Sequence, residues 1–586
     1  MAPFLGACAV PQTVYRRPRG RMPGRKIPRV PRFRLQSALF LLAGAGGGLY
    51  MSGDASKNRN VAFLQHVRRL RKHHLRLLGA GIEPQFTDDP NRIEQCCIRV
   101  GGIICDFSKQ LIDAAAMNEL LSLAGTLDIG TAITALLDGA KVNTSEQRAA
   151  LHPLLRAEQG ERVQHLGIGA AEVLSAADAA LRDLVQRLRD TKDLGKNGTG
   201  IDTLVNIGIG GSDFGPRLAA ESLGDHELRV KFLSTPDENA WARLESELDP
   251  RRTMFVLVSK SFATPETLLN GGRTKHWLQQ NLGDADVAQR LWAITAEPQA
   301  ALDWGIGAQQ LLAMPSEVGG RYCVWSSAGL AAAVAMGWDQ FQAFRGGARL
   351  IDAHFRSTPL AQNLPVLLAL LDFWHRVVGE ADSRVVAIYD IRLRQLVPYL
   401  QQLEMESNGK CVSRDGREPV QYSAAAVLGG LGPDCQHTFF QALHQGVTSI
   451  PVDFIGVIRS GTGVSGSRRH LLANLLAQSA ALMRGYQSWD PEKSCPGNRS
   501  SSTILLDELT PATLGQLLAL YEHKVYVLGH LLNINPFDQF GVELGKRLAE
   551  SIEPLLAGTS EAHAPDPSTA RLLAEIHTAT AHKEGH

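Results

Sequence analysis

The amino-acid sequence predicts an α/β protein made of two units, each with a parallel β-sheet flanked by helices. The 586-residue chain is longer than one hydrophobic core usually supports, so two or more domains are expected. From about residue 200 onward, short β-branched runs alternate with helical stretches, as in parallel strands joined by crossover helices. Long helical patterns precede and follow this region. These observations favour a two-unit α/β body between helical arms.

Residues 60–190 predict the helical N-terminal arm. Apolar side chains recur there at three- and four-residue spacing, in the segments VAFLQHVRRLRKHHLRLL, MNELLSLAGTL and AAEVLSAADAALRDLVQRLRD. The first α/β unit follows, because four β-branched runs are separated by helical patterns. The four runs are TLVNIGI, VKFLST, TMFVLVS and RLWAIT.

A second round of the same pattern predicts the second α/β unit. Helical stretches at 341–378 and 395–403 surround strand candidates at 384–389 and 449–458, and the long helical stretch LGQLLALYEHKVYVLGHLLNI follows. The tail after Gly558, rich in Ala, His, Thr and Pro, is expected to be weakly ordered. The predicted divisions are a basic extension (1–50), a helical N-terminal arm (51–170), a first α/β unit (171–340), a second α/β unit (341–540), and a C-terminal helix and tail (541–586).

The first fifty residues are strongly basic. They hold nine Lys or Arg residues and no Asp or Glu, which leaves 51 basic against 59 acidic side chains in the rest of the chain. A mildly acidic body argues against nucleic-acid binding, which needs clustered positive charge. Met51 opens an ordinary-looking N-terminus, so the extension is interpreted as disordered or as a mis-called start, with a sorting signal as the open alternative.

Composition also limits the compartment and the cofactors. The eight cysteines show neither metal-ligand spacing nor a disulfide framework, which favours a reducing cytoplasm. No run of eighteen apolar residues predicts a membrane span. No cluster of His and carboxylate residues stands at metal-ligand spacing. We therefore expect a cytoplasmic protein with no membrane segment and no metal.

A glycine-rich turn, NIGIGGSDFGP at residues 206–216, joins a predicted strand to a predicted helix. The dinucleotide fingerprint fails, because Asp213 stands where the third glycine should be. The triphosphate loop also fails, because Pro216 and Arg217 follow Gly215 in place of the Lys and hydroxyl residues. A helix N-terminus with close-approaching glycine backbone still favours an anion. A tight turn without a ligand remains the alternative.

A second loop, FVLVSKSFATPETLL at residues 255–269, has the same strand–turn–helix order but different chemistry. Thr264 stands at the predicted N-cap, with Pro265 at the first helical position. Converging hydroxyl and backbone N–H donors suit a phosphate monoester, although a capping loop would have the same composition. Strand-end loops of a parallel sheet share one edge, which favours a common ligand. The polar side chains of this loop are Ser259, Lys260, Ser261, Thr264 and Thr267.

Three longer segments extend this pattern: SEVGGRYCVWSSAG (316–329), LQQLEMESNGK (400–410) and YEHKVYVLGHLLNINPFDQFGVELGK (521–546). Together with VNIGIGGSDFGP, SKSFATPET and QHTFFQALHQG, they resemble the glucose-6-phosphate isomerase family, densely over residues 141–550 and loosely over 60–140. The resemblance implies two sugar-isomerase (SIS) domains, each a parallel sheet flanked by helices, with N- and C-terminal arms in a homodimer. It also implies a hexose 6-phosphate substrate, aldose–ketose isomerisation in glycolysis and gluconeogenesis, and no metal or organic cofactor.

The resemblance also assigns roles to individual residues. Glu406 matches the family's catalytic base, and Arg321 matches the residue that stabilises the enediolate. His437 and Lys546 match the ring-opening pair, with His437 reaching the active site of the partner subunit. The neighbouring Glu404 is expected to be solvated surface. The positions that match substrate-binding residues are Gly211, Ser212, Ser259, Lys260, Ser261, Thr264, Thr267, Gly320, Gln402 and Gln539.

The chain departs from the family pattern in the segment before His437. The family usually has a sequence close to WGEPGTNGQH, whereas this chain has LGGLGPDCQH. Ala263, Pro265 and Cys323 also replace the usual Thr, Gln and Ser. Because each candidate catalytic residue is retained, we expect activity with altered kinetics or packing. A phosphosugar-binding regulator and, more weakly, a metal-dependent isomerase of another fold remain the alternatives.

Overall fold

The structure is a computed structural model that describes residues 54–190, 200–459, 465–560 and 563–581. The predicted extension at 1–50 and the candidate start at Met51 lie outside these residues. The chain separates into two compact units, Met1–Asn58 and Arg59–His586. The elements described below belong to the second unit, apart from the first turn of the N-terminal helix.

The strands form two sheets. The first sheet has five parallel strands in the order β4-β3-β5-β6-β7. The second has six strands in the order β1-β2-β11-β10-β8-β9, of which β11, β10, β8 and β9 are mutually parallel. The strands are β1 Cys97–Val100, β2 Ile103–Asp106, β3 Thr203–Ile207, β4 Arg229–Leu233, β5 Thr253–Val258, β6 Leu291–Thr295, β7 Leu311–Ala313, β8 Ser383–Ile388, β9 Ala426–Leu431, β10 Val452–Arg459 and β11 Ser501–Glu508.

The α-helices surround these sheets and form both arms of the chain. They are α1 Asp54–Ala80, α2 Gln85–Asp88, α3 Arg92–Cys96, α4 Ala114–Thr126, α5 Ile129–Leu137, α6 His152–Leu155, α7 Gln159–Leu166, α8 Ile168–Arg189, α9 Gly211–Leu223, α10 Glu238–Glu245, α11 Pro265–Leu282, α12 Asp284–Arg290, α13 Pro298–Trp304, α14 Leu330–Met336, α15 Trp338–Ser357, α16 Leu364–Phe373, α17 Leu396–Gln401, α18 Gly432–Gln436, α19 Phe440–Gln445, α20 Ser465–Arg484, α21 Pro511–Leu531, α22 Glu543–Leu556 and α23 Pro567–Ala581.

Shorter helical turns join some of these elements. Two are π-helical, Trp374–Val378 and Gln402–Glu406. The 3₁₀ turns are Ala308–Gln310, Gly320–Trp325, Ser327–Gly329, Leu360–Gln362, Ile391–Leu393, Pro491–Lys493 and Phe540–Val542.

The predicted α/β class is confirmed. Strands β3, β5 and β6 are buried along their whole length, as expected when helices cover both faces of a parallel sheet. Ile207 of β3 pairs with Leu257 of β5, so the two strands end at the same level. The glycine-rich loop and the hydroxyl-rich loop therefore leave the same edge of the sheet side by side.

The predicted arm at 51–170 is not entirely helical. Strands β1 and β2 form an antiparallel hairpin, and β2 pairs with β11, so this hairpin extends the second sheet. The segment CIRVGGIICD has β-branched residues around a Gly-Gly turn, which is a strand signal too short to stand out among helical patterns. The domain boundaries themselves stay predictions.

Helix α21 is the central helix of the core. Nearly all of its side chains are buried, and it packs against α15, α16 and the second sheet. A capping box at Thr510 and Thr513 and a proline in the first turn start the helix. In the loop after α21, the carbonyls of Pro536 and Asp538 accept hydrogen bonds from Arg321.

The two C-terminal helices are α22, which ends before Gly558, and α23, which corrects the expectation of a weakly ordered tail after Gly558. They pack against each other, and α22 buries none of its own residues. Its apolar side chains include Leu544, which is 58% exposed. In the described part of the chain, no single helix has the length and apolar composition to cross a membrane; the bent pair α4 and α5 passes this test by length and composition alone.

Candidate active site

The glycine-rich loop folds back against the centre of the molecule. Gly210 has φ 60° and ψ −121°, a conformation that is open essentially only to glycine. A Cβ atom on Gly210 would lie 2.9 Å from Nε2 of Gln402, and one on Gly211 would lie 2.0 Å from the carbonyl carbon of Gly320. Glycine at both positions therefore lets the loop touch the two segments that carry Gln402 and Arg321.

Helix α9 begins at this contact. Gly211 is its first residue and half-buried Ser212 its second, and the Nδ2 of Asn206 donates to the Ser212 carbonyl across 3.0 Å. No side chain caps the N-terminus of α9. The N–H groups of Ser212 and Asp213 already donate to the carbonyls of Ile209 and Gly210, so the positive end of the helix dipole is what favours an anion at this terminus.

The hydroxyl-rich loop lies beside it and leads into α11. Thr264 is the N-cap and Pro265 the first helical residue, as predicted, but the Thr264 hydroxyl makes no capping hydrogen bond. It is hydrogen-bonded instead to the Ser259 hydroxyl, 3.0 Å away. The Oγ1 of Thr267 is buried without a hydrogen-bond partner among the described residues. Among the described residues, the Thr267 hydroxyl is therefore free for a ligand.

The two remaining polar residues of this loop differ in exposure. Ser261 is exposed, whereas Lys260 is half-buried, and burial lowers the pKa of its ammonium group. The structure thus brings the predicted phosphate-binding positions onto two adjacent loops. Not every one of these phosphate-binding positions contacts another one directly.

Arg321 lies in the Gly320–Trp325 turn and is 3% exposed. Its Nε donates to the Ser407 hydroxyl across 2.7 Å, and its Nη1 donates to Oε1 of Gln539 across 3.0 Å. Its Nη2 donates to the carbonyls of Pro536 and Asp538, across 2.6 and 3.0 Å. Neutral acceptors hold the guanidinium fixed, so its positive charge stays available to a negatively charged group nearby.

That group is Glu406, whose Oε1 lies 3.5 Å from Nη1 of Arg321. Glu406 is half-buried and ends the π-helical turn Gln402–Glu406 that continues α17. Such single π turns occur frequently at functional sites. The Oε1 of Gln402, at the other end of the turn, is buried without a partner among the described residues. One turn thus carries both a carboxylate and an unsatisfied amide towards the same region.

Glu404 corrects the expectation of a solvated side chain. It is 3% exposed, forms an ion pair with Arg384, and lies 3.4 Å from Nζ of Lys524. Its carboxylate is therefore committed to a buried ion-pair network. Among the described residues, the one ion pair of Glu406 is the longer contact with Arg321. Glu406 is therefore the carboxylate that remains available to take part in a reaction.

Lys410 is a site residue that the sequence analysis missed. Its Nζ donates to the Ser407 carbonyl across 2.6 Å and to the Asn535 carbonyl, and lies 3.2 Å from Oδ1 of Asp538. Burial, followed by the charge of Arg321, lowers the pKa of Lys410 to about 8. The available signal was its place in the EMESNGK segment, four residues after Glu406.

Two predicted catalytic residues are exposed side chains. His437 follows α18 and is exposed, and Lys546 is exposed on α22. Within the described residues, no hydrogen bond or ion pair connects either of them to Glu406 or Arg321. Their assignment to ring opening remains a prediction.

The altered segment before His437 continues the second sheet. It forms the last part of β9 and the short helix α18, and Nε2 of Gln436 donates to the Tyr389 hydroxyl across 3.1 Å. At the other departure, the Sγ of Cys323 donates to the Gly211 carbonyl across 3.4 Å. A thiol therefore fills the place of the usual hydroxyl at the contact between the glycine-rich loop and the Arg321 turn.

The assembled centre combines three chemical functions. Two anion-binding loops meet a carboxylate and a fixed guanidinium, and a lysine braces the loop that holds the guanidinium. Within the described residues, no group of three or more His, Cys, Asp or Glu side chains is placed to hold a metal ion. The centre can bind a phosphate and move a proton next to a developing negative charge.

Comparisons with known proteins agree with this arrangement. The phosphoglucose isomerase family model matches residues 106–573. The glucose-6-phosphate isomerase of Stenotrophomonas maltophilia strain K279a is 44% identical over 515 residues, covering 86% of this chain and 98% of that protein. The enzyme of the same name from Xanthomonas campestris strain B100 is 42% identical over 513 residues, with the same coverage.

A solved structure supports the same conclusion. The crystal structure of a glucose-6-phosphate isomerase from Chlamydia trachomatis superimposes with a TM-score of 0.77 at 29% identity, covering 88% of this chain and 98% of that one. The chain belongs to the phosphoglucose isomerase family.

Proposed function

We propose that this protein interconverts glucose 6-phosphate and fructose 6-phosphate, a step of glycolysis and gluconeogenesis, in the cytoplasm. The observation that carries the proposal is the pairing of Glu406 with Arg321 at 3.5 Å, beside two loops suited to a phosphate. The relatives named glucose-6-phosphate isomerase supply the identity of the sugar. The retained Glu406 and Arg321 argue against a binding-only regulator.

The phosphate of the substrate occupies the two strand-end loops. Ser212 and the uncapped N-terminus of α9 face it from one side, and Ser259, Thr264 and Thr267 supply hydroxyls from the other. A dianion is stabilised by several converging donors and by the dipole of a helix N-terminus. Lys260 adds a positive charge from the same loop. Gly211 and Ser261 are the remaining residues that we assign to the phosphate site.

Glu406 is the base that moves the proton between C2 and C1. Removing a proton next to a carbonyl places negative charge on the two oxygens of an enediolate, so a fixed cation nearby lowers the barrier. Arg321 is that cation, because its other donors already hold it in place. Gln402, Gln539 and the backbone of Gly320 line the sugar beside it.

Ring opening requires two further proton transfers, at the C1 hydroxyl and at the ring oxygen. We assign these to His437 and Lys546, with His437 supplied by the partner subunit of a homodimer. Both side chains are exposed, and neither is hydrogen-bonded or ion-paired to Glu406 among the described residues. The exposed apolar side chains of α22 and of the turn before it, such as Phe540 at 55%, favour burial against another subunit.

The replacement Glu406→Gln tests the proposal. It keeps the shape of the side chain but removes the base, so we expect isomerisation to fall by several orders of magnitude while a hexose 6-phosphate still binds. Fructose 6-phosphate formation is followed in a coupled assay without added metal, and binding by calorimetry. Glu94→Gln, an exposed replacement far along the sequence from the site, serves as the control.

The two readouts separate the competing functions. Full turnover by the Glu406→Gln variant would contradict the assignment of the base. Saturable sugar-phosphate binding by the unmodified protein, with no turnover, would favour the regulator instead.

A further inference from the structure

A cavity of about 370 Å³ opens to the surface between α7, α8 and α15, apart from the residues of the active site. Ligand pockets for small metabolites start at about this size. The cavity is notable for its cationic lining, which consists of Arg156, Arg162, Arg182, Arg345 and Arg349.

Acidic groups compensate this lining only in part. Arg156 in the lining is neutralised, since it pairs with Asp352 at 2.7 Å and with Glu522 at 2.6 Å. The other four arginines face two lining carboxylates, Glu158 and Asp178. The cavity therefore keeps an excess of positive charge.

Asp178 is shared between two buried arginines. Its Oδ2 lies 2.9 Å from Arg162 and its Oδ1 lies 3.0 Å from Arg345. The Nε of Arg345 has no hydrogen-bond partner among the described residues, and burial lowers the pKa of its guanidinium. The Asp178 carboxylate thus compensates two guanidinium charges at the base of the cavity.

The cations at the rim are held more weakly still. Arg349 pairs with Glu158 at 3.1 Å, but both side chains are largely exposed, and such pairs contribute little stability. Arg182 is exposed and has no side-chain hydrogen bond or ion pair to any described residue. An incoming anion can therefore recruit both rim arginines at small cost.

We propose that this cavity is a second anion site that binds a small organic phosphate and acts on the active site. Guanidinium groups form paired hydrogen bonds with phosphate oxygens. The amides of Gln159 and Gln342 in the lining offer neutral donors to the rest of the ligand, and the Ser175 hydroxyl donates to Oε1 of Gln159. The volume exceeds what an inorganic phosphate ion fills. An organic phosphate matches both the charge and the space.

The cavity is connected directly to the turn that carries Arg321. The Nη2 of Arg345 donates to the carbonyl of Trp325, and the guanidinium of Arg156 lies 4.7 Å from the centre of the Trp325 ring. Trp325 is the last residue of the Gly320–Trp325 turn. Movement of Arg345 towards a bound anion would therefore pull on the turn that positions Arg321.

Binding of glycerol 2-phosphate, a phosphomonoester that cannot be isomerised, tests the site in the full-length protein. Three variants are titrated by calorimetry: Ser259→Ala with Thr264→Ala in the active-site loop, Arg182→Gln with Arg349→Gln at the cavity rim, and Arg187→Gln. Arg187 lies on the same helix as Arg182 but pairs with Asp183 outside the cavity. The binding readout does not depend on the isomerase assignment.

We expect the active-site loop variant and the Arg187→Gln control both to bind glycerol 2-phosphate at the cavity. In the rim variant this binding should be at least about tenfold weaker, because two charge-assisted contacts are lost. Loss of all binding in the loop variant, or equal affinity in the rim variant and the control, would overturn the site. In the unmodified enzyme glycerol 2-phosphate should change kcat as well as KM. Purely competitive inhibition would overturn the connection to the active site.

Discussion

Lys410 shows how the charge of one side chain is tuned beside Arg321. Its ammonium group bridges the Ser407 and Asn535 carbonyls and the Asp538 carboxylate, and the Asp538 carbonyl accepts in turn from Arg321. Lys410 is thus a positioning residue for the loop that holds the guanidinium. Because burial and Arg321 lower its pKa to about 8, it loses its charge just above neutral pH.

We expect Lys410→Gln to lower kcat by roughly 10- to 100-fold, since small displacements of catalytic groups cost about that much. In the unmodified enzyme, kcat/KM should fall as the pH rises through about 8, because deprotonation then removes the charge that braces the loop. The pH profile of kcat/KM from pH 6 to 9.5 measures both effects.

The variant should lose this alkaline limb, because glutamine does not titrate. An unchanged limb near pH 8 in Lys410→Gln would assign the titration to another group.

At the scale of elements, the π-helical turn Gln402–Glu406 depends on the ion pairs of Glu404. This carboxylate contacts Arg384 and Lys524, which also pair with Asp453 at 2.6 Å and Asp372 at 2.7 Å. The network anchors the turn to β8 and α21. Glu406 lies two residues further along the same turn.

The replacement Glu404→Gln should therefore affect both stability and catalysis. Removing one partner from a buried ion-pair network leaves uncompensated charge, which costs about 3 kcal/mol of unfolding free energy. Displacement of the turn should lower kcat with little change in KM. Urea unfolding and steady-state kinetics measure the two effects.

The exposed replacement Glu94→Gln again provides the control. If Glu404→Gln matched it in stability, the network would not anchor the turn.

Sequence patterns predicted the elements whose signals are local. The β-branched runs gave the strands of the first sheet, and the strand–turn–helix order placed Ser212 and Ser259 on neighbouring loops. Sequence patterns did not predict the hairpin at Cys97–Asp106, because it depends on a partner strand far along the chain. They did not predict the burial of Glu404 either, because that depends on ion pairs with distant residues. Lys410 was missed for the same reason, since its acceptors Asn535 and Asp538 lie more than a hundred residues away.

At the scale of the whole molecule, His437 and Lys546 raise the question of which subunit completes each site. Both are exposed, and neither contacts Glu406 within the described chain. If His437 acts on the partner's substrate, an active site combines Glu406 of one chain with the histidine of the other. Two differently inactivated chains should then restore activity when they are mixed.

We expect Glu406→Gln and His437→Ala to be inactive alone but active after joint unfolding and refolding. Random pairing of equal amounts makes half of the dimers hybrid, each with one intact site, so about a quarter of normal activity should return. Activity assays before and after mixing measure this recovery. No recovery, with hybrid dimers present by mass spectrometry, would place His437 in the active site of its own chain.

Several buried histidines make the stability of the whole fold depend on pH. His375 is half-buried and hydrogen-bonded to Oε1 of Gln110 at 2.6 Å, and burial, followed by the charge of His74, lowers its pKa to about 3. Burial also lowers the pKa of His152 and His523. These histidines stay neutral in the folded protein at a pH where the same histidines are already protonated in the unfolded chain.

The sign follows from this difference in bound protons. For His375, the folded pKa lies below the unfolded value of 6.5, so its stabilising contribution is complete above pH 6.5 and is lost as the pH falls towards 3. This difference for His375 should lower the unfolding free energy by about 1.4 kcal/mol per pH unit within that window. Urea unfolding at pH 7.5, 6.0 and 5.0 should therefore show a progressive loss of stability.

The replacement His375→Gln separates this contribution from the titration of carboxylates. Glutamine can keep a hydrogen bond to Gln110 but takes up no proton, so the variant should be less stable at pH 7.5 yet lose less stability on acidification. The exposed His276→Gln should keep the slope of the unmodified protein. Equal slopes for His375→Gln and the unmodified protein would mean that His375 already carries a proton in the folded state.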